Sequence, residues 1–139
     1  MTTPARRVAI VEDHGALRVF LRDVLIRLGW EVTGMAGTAE AGYEIISAAE
    51  PDVAIVDLHL SSEGGGDALI RRLADAHLRT RIVVFTATSD PKELRAVLKA
   101  GADGIVLKEG GLPELLAGLE AVTRGEQFLS PSLGSSGGG

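Results

Sequence analysis

The chain has 139 residues, 45% of them hydrophobic and 24% charged, with a formal net charge of −5 and no cysteine. That balance suits one globular domain with a core of its own, and it excludes disulfides and thiolate metal sites, in keeping with a reducing compartment. The arginines and lysines are scattered, which excludes the basic footprint of a nucleic-acid binder, and no apolar run nears the ~18 residues that span a bilayer.

The opening MTTPARRVAIVEDHG predicts a disordered segment, residues 1–5, and then a strand at VAIV, residues 8–11. Glu12 and Asp13 interrupt the apolar stretch too early for a secretory signal, so the cytoplasm is the expected location. Residues 15–28 place Leu17, Phe20, Leu21, Val24, Leu25 and Leu28 on one helical stripe, with Gly29 next as a stop. WEVTGMA, 30–36, roughly alternates and reads as a sheet-edge strand. Thr38 caps a helix running to about Ala49, with Ile45 and Ile46 inward. VAIV at 53–56 is a second continuous apolar run, of the kind covered on both faces in a parallel sheet.

SEGGG, residues 62–66, predicts a mobile loop, and residues 67–77 a helix with Leu69, Ile70, Leu73 and Ala74 inward. IVVF at 82–85 is the next strand. In DPKELRAVLKAG, Asp90 stands at the N-cap, Pro91 at the first helical position, Glu93 at the reciprocal capping position and Gly101 at the stop. GIVL at 104–107 and the helical LPELLAGLEAVTRG, 112–125, complete the series. FLSPSLGSSGGG, 128–139, has the composition of a flexible linker. Strand and helix therefore alternate five times, the pattern of a doubly wound α/β sandwich with a five-stranded parallel sheet and five helices.

In such sheets chemistry collects at the carboxyl ends of the strands. The apolar runs here end on Glu12-Asp13, Asp57, Thr86 and Lys108. Each has a plain reading alone: a strand-to-loop transition, a turn cap, a β-residue before a loop, a solvated strand end. Together they make a set. Two like charges ~4 Å apart repel by about 4 kcal/mol at an effective dielectric of 20. A divalent cation removes that cost, and oxygen donors favour Mg²⁺.

These motifs (VAIVED, IVDL around Asp57, VVFTA at Thr86 and GADGIVLK at Lys108) resemble the receiver domain of response regulators in bacterial two-component signalling. The resemblance covers residues 6 to 127 and implies the flavodoxin-like strand order 2-1-3-4-5. It implies that Asp57 accepts a phosphoryl group from a sensor histidine kinase or phosphotransfer protein, so that the chain is a signalling phosphoacceptor rather than an enzyme with a separate substrate. By the same resemblance Glu12, Asp13, Asp57 and the backbone carbonyl of His59 hold Mg²⁺, Thr86 hydrogen-bonds the phosphoryl group and Lys108 pairs with it. The side chains at His59 and Thr88 would tune the lifetime of the aspartyl phosphate.

The chain departs from the family at several places. Ile105 stands where an aromatic switch residue is usual, and its β-branched side chain is stiff. Ser61 replaces a common proline, and Glu109 another after the lysine. The last feature, with LPELLAGLEAVTRGEQFLSP, resembles receivers that precede a helix-turn-helix DNA-binding domain; DNA would then be met only through that output domain, and a homodimer through the last helices. His14, His59 and His77 fit no compact ligand motif and read as surface or loop residues. Two alternatives stand beside the leading one: a degenerate receiver that serves as a binding or dimerisation surface, and a haloacid-dehalogenase-like phosphohydrolase. The latter needs an acid two residues after its nucleophile, where this chain has His59.

Overall fold

A computed structural model describes residues 6–60 and 65–133. Its elements run β1 (Arg7–Val11), α1 (Gly15–Arg27), β2 (Glu31–Ala36), α2 (Ala39–Ala49), β3 (Val53–Val56), α3 (Gly66–Asp75), β4 (Arg81–Thr86), α4 (Pro91–Ala100), β5 (Gly104–Leu107), α5 (Gly111–Thr123) and β6 (Phe128–Leu129). All pairings are parallel, in the order β2-β1-β3-β4-β5-β6. The expected order 2-1-3-4-5 holds, as does the doubly wound, flavodoxin-like architecture.

Burial has the period of two. Ala9 and Val11 of β1 join Ala54, Val56, Ile82, Val84 and Ile105 in a core under α2, α3 and α4, which contribute Ile46, Leu69, Ile70, Leu73, Leu94 and Val97. Val8, Ile10, Val53, Ile55, Val83, Phe85 and Val106 face the other way, against Leu21 and Leu25 of α1 and Leu115, Leu119 and Val122 of α5. Each valine, leucine, isoleucine or phenylalanine among them contributes about 1.5–3 kcal/mol on full burial. β2 is only partly covered, as its alternating sequence predicts.

The sheet differs from expectation in having a sixth strand. Phe128 and Leu129, whose surroundings have linker composition, pair with Gly104 and Ile105. The backbone N–H of Ser130 donates to the Ile105 carbonyl (2.8 Å), and residues 131–133 form a short helical turn. Glu114 explains why so polar a segment stays on the sheet: its carboxylate accepts from the hydroxyl of the buried Ser130 and, at 2.7 Å, from that of Ser132. The stripe of α1 is also narrower than its sequence suggests. Leu21 and Leu25 are buried, whereas Phe20 and Leu28 are about half exposed at 51% and 55%. Of the residues expected to form a mobile loop, 62–64 lie outside the described residues. Gly65 is instead the N-cap of α3, and Gly66 its first residue.

Candidate functional site

The parallel register sets Val11 beside Val56, Val56 beside Val84 and Thr86 beside Leu107. The residues just past these strand ends therefore emerge at one rim, where the chain leaves β1 and β3 in opposite directions and opens a crevice. Two backbone hydrogen bonds pin this rim. The N–H of Asp57 donates to the Val11 carbonyl (3.0 Å) and that of Glu12 to the Ala36 carbonyl (2.9 Å).

Lys108, just past β5, closes the set. Its ammonium donates to Asp57 Oδ2 at 2.9 Å and lies 2.8 Å from Glu12 Oε1. Both carboxylates are buried, so the ammonium offsets a desolvation cost that neither acid could bear alone. Burial pushes the Glu12 carboxyl above its ordinary range, against the pull of the Lys108 ammonium. Burial would lower Lys108, but its contacts with Glu12 and Asp57 outweigh this and hold it above its usual value. Asp57 Oδ1 accepts from the backbone N–H of His59 (3.2 Å) and Glu12 Oε2 from that of His14 (3.1 Å).

Glu12, Asp13 and His14 each offer a ligand atom, all within 4.8 Å of one another. Thr86 is fully buried, with its hydroxyl accepting from the Thr88 N–H at 3.3 Å. Ile105 pairs with Val84, two residues back from Thr86, and is sealed into the core under α4. The structure thus brings Glu12, Asp57 and Lys108 into direct contact, puts Asp13 beside Glu12, and sets Thr86 at the end of the neighbouring strand. His77 lies apart, just past α3, with a left-handed backbone (φ 53°).

Three contributors are not legible in the sequence. Arg18, on α1, donates to the Glu12 carbonyl at 2.6 Å and so fixes the turn that carries the acids. Gly66 lies against the backbone of the Asp57 turn: a Cβ there would strike the Asp57 carbonyl oxygen and come within 2.8 Å of Leu58 Cα. Glu93, expected to bond back to the start of its own helix, instead accepts from the Thr88 hydroxyl (2.9 Å) and pairs with His59 Nε2 (2.9 Å). Thr88 Oγ1 takes over the Asp90 N–H at 3.2 Å. Only the glycine run hints at a close approach.

A match to the response regulator receiver domain model spans residues 8–120. The chain belongs to that family. It is 32% identical over 128 residues to the nitrate/nitrite response regulator protein NarL of Escherichia coli K12, covering 91% of this chain and 58% of that protein. It is 28% identical over 131 residues to the oxygen regulatory protein NreC of Staphylococcus aureus, covering 94% and 60%. The receiver thus spans a little under two thirds of the length of these relatives. Among solved structures, a LuxR-family two-component response regulator from Aurantimonas superposes with a TM-score of 0.88 at 28% identity, covering 95% of this chain and 94% of that one. The isolated receiver of RcsB from Salmonella enterica, determined with the phosphomimetic BeF₃⁻, gives 0.84 at 28% identity, covering 95% and 98%. This receiver is accordingly a module of two-component response regulators, a signalling family. Among the described residues no helix is long and apolar enough to cross a membrane.

Proposed function

We propose that Asp57 is the phosphoacceptor of this receiver, and that its esterification switches an output. The observation that carries this reading is the Lys108 ammonium held between the two buried carboxylates of Asp57 and Glu12. An aspartate nucleophile needs a fixed position and a way to neutralise the incoming phosphoryl oxygens, and both are supported here. Asp57 Oδ2 attacks phosphorus, the bond from phosphorus to the donor breaks, and the donor leaves with that electron pair. Lys108 then exchanges a carboxylate partner for a phosphoryl oxygen, as a compact point charge. The Thr86 hydroxyl, which accepts from the Thr88 backbone N–H at 3.3 Å, turns to donate to another.

The donor set suits a hard divalent cation: carboxylate oxygens of Glu12 and Asp13 sit together, with Asp57 beside Glu12. Glu12, Asp13, Asp57 and the His59 carbonyl would hold Mg²⁺, with the His14 ring nitrogen the poorer ligand for it. When bound, the ion supplies charge neutralisation at the transferring phosphoryl oxygens.

The donor is a sensor histidine kinase or phosphotransfer protein. An apolar groove lined by Leu17, Phe20, Leu21, Phe85 and Leu112 opens next to Lys108 and gives such a partner a place to dock. Transcription control through an output domain, homodimerisation and a cytoplasmic location belong to the same reading, supported by relatives named as response regulators and by a solved structure of RcsB dimers bound to DNA.

Incubation with a small phosphodonor and Mg²⁺, and then intact mass, tests the proposal. One phosphate adduct in the native chain and none in Asp57→Ala is expected; no adduct on the native chain, or an adduct that survives in Asp57→Ala, overturns it.

A further inference from the structure

A continuous path of polar contacts joins the acceptor to the hydroxyl on the next strand. The His59 N–H reaches Asp57 Oδ1, the His59 ring reaches Glu93 Oε1, Glu93 Oε2 accepts from Thr88 Oγ1, and the Thr88 N–H reaches Thr86 Oγ1. Two of these four links are made by one carboxylate, on the first turn of α4. It is the only group in the path that belongs to neither strand end. Glu93 lies partly open to solvent, with 40% of its side chain exposed, and the His59 side chain is 62% exposed, whereas Asp57 and Thr86 are buried. The bridge therefore runs on the solvent side of the acceptor.

The structure assigns to Glu93 a positioning role in the loss of phosphate from Asp57: it holds His59 and Thr88 together across the mouth of the site and restricts the approach of water. This rests on the phosphoacceptor reading and goes beyond it, since it concerns how long the modification lasts. In the reaction concerned, the oxygen of a water molecule bonds to phosphorus, the bond between phosphorus and Asp57 Oδ breaks, the carboxylate is regenerated, and the water's protons leave with inorganic phosphate or to solvent. That water must come from solvent, so a bridge on the solvent side of Asp57 and Thr86 bears on its approach. The sequence pattern assigns Glu93 to a helix cap. With Thr88 bonding the Asp90 N–H in its place, the carboxylate is released for the bridge.

The native chain, Glu93→Ala and Glu93→Gln are loaded with a small phosphodonor and Mg²⁺, the donor is removed, and the adduct is monitored by intact mass. Glu93→Ala shortens its lifetime by about three- to tenfold, the range of one lost hydrogen bond. Glu93→Gln, which keeps an acceptor for Thr88 but not the charge facing His59, falls between. In a chain already carrying His59→Ala and Thr88→Ala, adding Glu93→Ala changes nothing further, a non-additivity that a general loosening of α4 would not produce. An unchanged or longer lifetime in Glu93→Ala, or an undiminished effect in the triple variant, overturns the role of Glu93 while leaving Asp57 as acceptor. Failure of the native chain to take phosphate overturns both.

Discussion

Lys108 is the residue on which the rim depends electrostatically. Replacing it with glutamine leaves two buried carboxylates without the ammonium that lies between them, and the expected loss of stability in metal-free buffer is about 1–3 kcal/mol, the cost of an unsatisfied buried group. The sign of the pH dependence is set by Glu12. Its folded-state pKa is raised by burial, so as pH falls the folded chain takes up that proton before the unfolded chain does. The penalty in Lys108→Gln is thus full above the folded pKa of Glu12 and shrinks as pH drops through it. Lys108 itself contributes its stabilisation at neutral pH and loses it only on strong alkalinisation, through its own raised folded-state pKa. Urea melts of both chains from neutral to mildly acidic pH measure this; a penalty that grows on acidification would contradict it. Asp57 and Lys108 are legible in the sequence because each directly ends an apolar run, and strand ends share a rim. Arg18 and Glu93 are not, because each is a helix residue whose role comes from a loop brought to it only by the packing of layers.

At the scale of elements, Gly66 and Glu114 each decide where a segment sits. Gly66→Ala puts a methyl against the backbone of the Asp57 turn, which must move or push α3 outward. A loss of about 1–3 kcal/mol, the usual cost of overpacking, is expected, together with slower phosphate uptake, read by thermal melting and adduct mass. Equal stability and equal uptake would show that the turn has slack. Glu114 clasps Ser130 and Ser132, and hydrogen bonds from those hydroxyls hold its carboxyl below the usual carboxylate range. A lowered folded-state pKa stabilises above the unfolded value and ceases to do so as pH falls through the folded one, so the tail should loosen in acid. Glu114→Gln should raise amide exchange at 128–133 at neutral pH while leaving β1 and β3 protected. Composition hides β6, since two strand residues inside a run of serine, proline and glycine give no period to read. The exposed half of the α1 stripe is hidden for the opposite reason: a period locates one face of a helix but not how much of it the neighbouring sheet covers.

For the molecule as a whole, the proposed phosphorylation of Asp57 needs a route outward other than an aromatic residue at position 105. Ile105 is 1% exposed and packs with Val84, Leu94 and Val97 in a core layer. Interiors so filled do not deform smoothly, and a β-branched side chain has few rotamers to move between. Motion has an easier route above that layer. Pulling Thr86 Oγ1 toward a phosphoryl oxygen costs it the Thr88 N–H, and Thr88 carries both the Asp90 N–H and a link to Glu93. A shift of one hydroxyl therefore reaches the N-terminal turn of α4 through three hydrogen bonds, biasing that turn between two arrangements. With Mg²⁺ and BeF₃⁻ added, amide exchange should change at residues 86–93 and along the first turn of α4, with β5, residues 104–107, keeping its protection. The same addition to Thr86→Ala should leave the 86–93 segment as it was, because the hydroxyl that starts the sequence of bond exchanges is gone. A response centred on β5 in the native chain would mean that Ile105 still carries the switch despite its packing.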